Sequence, residues 1–101
     1  MAITSEISAE QESLAIKVSG RFDFSLHEEF RASYSEVEAK GLKVVVDLAE
    51  VEYMDSSALG MLLLLREYVG EDQAKVRLIN GAPEIMNILH VSNFDQLFKV
   101  E

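Results

Sequence analysis

A chain of 101 residues, 49% of them apolar, holds one domain with one hydrophobic core and leaves no room for a multidomain enzyme. With 18 acidic against 9 basic residues the formal charge is −9, which repels phosphate backbones and anionic lipid, so nucleic acid and membrane surfaces are poor partners. The lack of cysteine excludes a disulfide framework, a thiolate zinc site and a cysteine nucleophile, and it fits a cytoplasmic protein.

The opening residues, Met1 to Glu10, lack the basic start and apolar stretch of a secretion signal. The longest apolar run, Met61 to Leu65, is far too short to span a bilayer. Leu14 to Ser19 alternates weakly and ends at Gly20, as a half-buried strand does before a loop. Ile3 to Ile7 is expected to pair with it as a hairpin through a turn at Glu10 to Ser13. From Ser25 the period changes. Leu26, Phe30, Tyr34 and Val37 follow helical spacing, Ser25 and Glu28 form a capping box, and the helix is expected to stop near Gly41. Leu42 to Leu48 is β-branched and nearly continuous, which suits a central strand covered on both faces.

A polar loop is expected over Glu50 to Asp55, then a helix from Ser56 or Ser57 to Gly70. Lys75 to Ile79 reads as a strand, Asn80 to Ala82 as a turn, and Pro83 as the first residue of a third helix over Glu84 to His90. The apolar residues of Phe94 to Val100 pack at the edge. No linker, repeat or biased stretch divides residues 1–101. The order ββαβαβα, with room for a last short strand, implies a single α/β domain. Its mixed sheet has four to five strands, with about three helices and right-handed crossovers.

The chemistry-bearing stretch is Tyr53-Met54-Asp55-Ser56-Ser57-Ala58-Leu59-Gly60, where a buried strand gives way to two hydroxyls at a helix start. Strand ends beside helix N-termini are where α/β sheets place sites, and backbone N–H groups there favour an anion such as a phosphate on Ser56. The competing reading makes Ser56 or Ser57 a helix N-cap and nothing more. Asp23, in Gly20-Arg21-Phe22-Asp23-Phe24-Ser25, approaches the Asp55 loop if the two strands are neighbours; otherwise it is a turn residue bonding its own backbone.

A serine hydrolase lacks support, because the Gly-x-Ser-x-Gly elbow is missing and His27 and His90 lie on separate helices. Phosphate-loop and dinucleotide fingerprints are missing too, and neither calcium-loop nor zinc spacing occurs, so no cofactor or metal is expected. On an ideal helix Ala58, Met61, Leu62, Leu65, Tyr68 and Val69 gather toward the sheet. Leu59 and Leu63 fall beside Gly60, Arg66, Glu67 and Gly70, on the side expected to face water. They form either a docking patch or a surface covered by a neighbouring helix.

The run at 53–60, after the Val44–Leu48 strand, resembles the signature of STAS domains, specifically bacterial anti-sigma factor antagonists. Gly20-Arg21-Phe22-Asp23 resembles that family's second motif. The resemblance covers essentially the whole chain. It implies a STAS-like fold and a partner switch without enzymatic activity. When unphosphorylated, such proteins bind an anti-sigma factor or related serine kinase and free its client; phosphorylation of the first motif serine, here Ser56, ends the binding, and a PP2C-type phosphatase restores it. Asp55, Ser57 and Asp23 would flank the phosphosite, and Leu59, Leu63, Ser56 and Phe24 would meet the partner. Two departures stand out: Ala58 replaces a glycine common in the family, and the longer final helix of some relatives is shortened or missing. The alternative is a constitutive STAS scaffold that is never phosphorylated. A monomer is expected, with the Leu59–Leu63 patch the surface a dimer would use.

Overall fold

Alternation along Leu14, Ile16 and Val18, all buried, produces the first pairing of the chain. The computed structural model describes residues 2–8, 10, 12–35, 43–70 and 75–101. In it β1 (Ile3–Ser8) and β2 (Ser13–Phe22) run antiparallel, with Ile3 opposite Val18 and Ile7 opposite Leu14. Of the expected turn, Gln11 lies outside the described residues and Glu12 takes a left-handed φ of 51°. The strand does not end at Gly20. That residue, at φ 78°, sits within a register irregularity and the strand continues to Phe22, because glycine tolerates the backbone a bulge requires.

The Ser25–Glu28 capping box does not form either. Asp23 accepts the Ser25 N–H at 3.0 Å and caps a 3-10 turn, Phe24–Leu26, ahead of α1 (His27–Ser35). A carboxylate two residues earlier is the stronger acceptor and takes the Ser25 hydroxyl as well. Leu26, Phe30 and Tyr34 bury as their spacing predicts, with Phe30 packed 5.2 Å from Phe22 and 5.8 Å from Tyr34 between ring centres. Val37 and the expected stop at Gly41 lie outside the described residues, as does Leu42. The Glu29 carboxylate accepts the Ile3 N–H at 3.0 Å, so α1 ties down the edge strand.

Strand β3 (Lys43–Met54) pairs in parallel with β2 on one side and β4 (Lys75–Ile79) on the other. It corrects two expectations. Val44, Val46 and Leu48 are buried while Val45 and Asp47 are half-exposed, so the strand has one fully covered face rather than two. The stretch Glu50 to Met54 is strand, not loop. Extra residues of β3 oppose β2 between Asp47 and Glu50 and again between Val51 and Tyr53, so the inward positions become Leu48, Val51 and Met54, three apart. The intervening Glu50, Glu52 and Tyr53 face water and give the segment its loop-like polarity.

The helix α2 (Ser56–Val69) ends at Gly70, whose φ of 123° turns its N–H back to the Arg66 and Glu67 carbonyls. After β4, α3 (Pro83–Val91) opens on its proline as expected and leads through a short 3-10 turn to β5 (Lys99–Val100), parallel to β4. Phe94 and Phe98 are buried and stack 5.3 Å apart, anchoring the tail. Among the described residues the result is a five-stranded mixed sheet in the order β1-β2-β3-β4-β5 with three α-helices.

Candidate functional site

The register of β2 and β3 places their ends side by side. Phe22 faces Met54, both buried, and the next residue on each strand is an aspartate that leaves the sheet. Each aspartate then builds the same turn. Asp23 Oδ1 accepts the Ser25 N–H at 3.0 Å and the Ser25 hydroxyl at 2.5 Å. Asp55 Oδ1 accepts the Ser57 N–H at 3.0 Å, the Ser57 hydroxyl at 2.5 Å and the Ala58 N–H at 3.2 Å. These are Asp-x-Ser turns in which the side chain replaces a backbone acceptor, and each displays its middle residue. Phe24 is 67% exposed in the first, and Ser56 is exposed in the second.

This geometry settles which residue caps α2. Asp55 is the N-cap, Ser56 is the first helical residue, and neither serine caps the helix. The Ser57 hydroxyl is committed to Asp55, whereas the Ser56 hydroxyl makes no hydrogen bond to the described residues. The two carboxylates are tuned alike. The Ser57 hydroxyl, seconded by the Ala58 and Ser57 N–H groups, holds Asp55 below the usual carboxylate range against opposition from burial and the Asp23 charge. The Ser25 hydroxyl and N–H, helped by Arg21, hold Asp23 down in the same way. Asp23 thus bonds its own turn, as the competing reading of that residue had it.

Along α2, Ser56, Leu59, Gly60 and Leu63 share one face at helical spacing. Ala58, Met61, Leu62, Leu65 and Val69 are buried as the helical wheel requires. Tyr68, expected on the sheet side, is 38% exposed, its ring 5.1 Å from that of Tyr34 across the α1–α2 seam. The two off-core leucines differ: Leu59 is half-buried against the core and Leu63 is 40% exposed. Leu64, which the helical wheel did not single out, is 49% exposed. On the other turn the Phe24 ring stacks on His27 at 5.0 Å, while His90 sits far along the chain on α3, 3.4 Å from Asp95.

A pair the sequence reading missed lies just behind the turns. Arg21 and Tyr53 are partners in the β2–β3 ladder, and the guanidinium carbon sits 4.0 Å from the centre of the Tyr53 ring. Its Nε approaches Asp23 Oδ2 at 3.5 Å. With Glu50–Met54 read as a loop, no register linked these residues. Among the described residues no three His, Asp or Glu side chains gather as a metal-ligand set, and no helix is long and apolar enough to cross a membrane.

A mixed sheet whose third strand delivers Asp55-Ser56-Ser57 to the start of a helix, beside a second aspartate turn, defines an α/β domain of the STAS type. The family model described as "Mlab, STAS domain" matches residues 5–100, and the chain belongs to the STAS domain family. A STAS-domain containing protein of Pseudomonas aeruginosa, PA14_20770, is 50% identical over 100 residues, 99% of each chain. The fold is shared with the Thermotoga maritima protein TM1081 at 18% identity, with a TM-score of 0.81 over 97% of this chain and 84% of that one. It is also shared with the anti-sigma factor antagonist SpoIIAA. The unphosphorylated form gives 21% identity and a TM-score of 0.68 over 88% of this chain and 82% of that one. The phosphorylated Bacillus form gives 20% identity and a TM-score of 0.73 over 99% and 91%.

Proposed function

We propose that this STAS domain is an anti-sigma factor antagonist that acts by binding and is controlled by phosphorylation of Ser56. The observation that carries the reading is the division of labour between adjacent serines. Ser57 gives its hydroxyl proton to Asp55, while Ser56 stands exposed with its hydroxyl free of the described residues. A kinase needs an accessible hydroxyl, and at Ser56 it would break no hydrogen bond to the described residues to reach one. The shared fold with SpoIIAA, whose structures include an unphosphorylated and a phosphorylated form, supports the same role.

The mechanism follows from the site. A phosphate on Ser56 adds about −1.5 to −2 charges at pH 7. At the first position of α2 that charge meets the positive end of the helix dipole, worth about 0.3–1 kcal/mol, so the fold tolerates it. A partner does not. The dianion joins Asp55 and Asp23 in one acidic patch, and like charge in an interface costs several kcal/mol. Unphosphorylated, the protein binds an anti-sigma factor or serine kinase in the cytoplasm through Ser56, Leu59, Leu63 and Phe24. A PP2C-type phosphatase resets it, and the protein works as a monomer of one domain.

The test is capture from the native cell lysate on Ser56→Ala and Ser56→Asp baits, with mass-spectrometric identification. The alanine bait is expected to retain an anti-sigma or kinase-like protein that the aspartate bait loses, while both keep the wild-type circular dichroism spectrum. Equal capture by the two baits would replace this reading with a constitutive scaffold.

A further inference from the structure

Arg21 is held where it is by weak ties. Its side chain is 65% exposed, its guanidinium rests on Tyr53 at 4.0 Å, and its approach to Asp23 is a 3.5 Å contact from Nε. Asp23 spends only Oδ1 on the Ser25 hydroxyl and N–H, so Arg21, which approaches Oδ2, can leave without unmaking that turn. A guanidinium is shaped for planar, two-point recognition of phosphate, and the contact with Asp23 uses little of that capacity. Its placement is specific. Arg21, on β2, stands two residues before Asp23 as Tyr53, on β3, stands two before Asp55, and the guanidinium lies across the ladder over the Tyr53 ring. It therefore sits at the strand ends from which Ser56 emerges.

We propose that Arg21 reads the phosphate of the switch: when Ser56 is phosphorylated, the guanidinium leaves Asp23 and pairs with phosphate oxygens, with the Tyr53 ring as the surface on which it turns. The inference rests on Ser56 being the phosphosite. It makes Arg21 a positioning residue that orders the phosphate over the start of α2. It also leaves Asp23 without its cation in the phosphorylated form, so the modification uncovers a second negative charge toward the partner.

The experiment installs phosphoserine at position 56 by genetic encoding, so that no kinase is needed, and titrates it by phosphorus NMR in the wild type, Arg21→Gln and Arg21→Lys. An adjacent cation favours the dianion. The second ionisation of the phosphate is expected about half a pH unit or more lower in the wild type than in Arg21→Gln, with Arg21→Lys between them. The Arg21 Nε–H resonance is expected to shift on phosphorylation of the wild type. Coincident titrations of wild type and Arg21→Gln, or an unmoved Nε–H resonance, would overturn the proposal. If Arg21→Gln fails to fold, the wild-type Nε–H resonance decides alone. A Ser56 that carries no phosphate in cells leaves these measurements unchanged and sinks the proposed function instead.

Discussion

Adjacent serines with opposite commitments make a sharp prediction, since alanine at 56 and alanine at 57 should have crossed effects. Ser57→Ala removes a hydroxyl that donates to Asp55 at 2.5 Å. The turn is open to water, so the loss is taken at about 1 kcal/mol. Alanine's better helix propensity returns roughly half of that. The net destabilisation of about 0.5 kcal/mol lowers the melting temperature by about 2–4 °C in a domain of this size. Ser56→Ala breaks no hydrogen bond to the described residues, so its melting temperature should match or slightly exceed that of the wild type. The functional order is reversed. Intact-mass analysis of protein recovered from its native cells should show phosphate on Ser57→Ala and none on Ser56→Ala. Thermal melts followed by circular dichroism supply the stability half. A Ser56→Ala protein that melts several degrees below Ser57→Ala, or a Ser57→Ala protein that carries no phosphate while folded, would refute the division of labour.

Three further outcomes follow from the geometry. Asp23 and Asp55 ionise below the usual carboxylate range when folded, so the stabilisation they give is present above the unfolded value of about 3.9 and is lost as pH falls through the lower folded values; melting temperature should drop on acidification below about pH 4, and less steeply in Asp23→Asn/Asp55→Asn, with parallel curves counting against the caps. Leu63→Ser should change stability by less than about 0.5 kcal/mol yet weaken partner binding, whereas Leu59→Ser, cut from a side chain half-buried against the core, should lower the urea midpoint measurably; equal midpoints would mean that the two leucines are equivalent surface residues. Gly60 lies inside α2 with open space where a Cβ would go, so Gly60→Ala should raise stability by about 0.5–1 kcal/mol; if partner binding also falls in calorimetric titration, the glycine serves close approach of the partner, and unchanged affinity would place the contact elsewhere on the helix.

Where the hydrophobic period was unbroken, the sequence was legible. The buried faces of α1 and α2 and the proline start of α3 follow from 3.6-residue spacing and from proline's fixed φ. Legibility failed where an extra residue changed the period. Two irregularities in β3 moved its inward positions to Leu48, Val51 and Met54, so a strand looked like a polar loop, and Gly20 looked like an end rather than a bulge. That one misreading hid the Arg21–Tyr53 pair, because the pairing exists only through the register. The cap was misassigned for a different reason. Two serines drew attention to their own oxygens, although the carboxylate before them is the better acceptor. The Asp-x-Ser spacing occurs at 23–25 and again at 55–57, and that repetition was the available signal.

For the proposed phosphorylation of Ser56, the parallel ladder accounts for how a single phosphate would be decisive without disturbing the fold. Neighbouring strands lie about 4.7–4.9 Å apart, so the turns that leave β2 and β3 present Phe24 and Ser56 on adjacent turns at one end of the sheet. Beneath them Phe22 and Met54 are already buried, and nothing in the core has to move. Phe24, by contrast, exposes an apolar ring that gains from burial only if the partner excludes water around it. Excluding water lowers the local dielectric, and in a low dielectric an uncompensated charge becomes far more costly than at an open surface. The better a partner buries Phe24, the less it can accept a dianion on the adjacent turn. In the proposed switch, hydrophobic anchor and phosphosite are therefore coupled by solvation, and that coupling would let a charge the isolated domain tolerates abolish its binding.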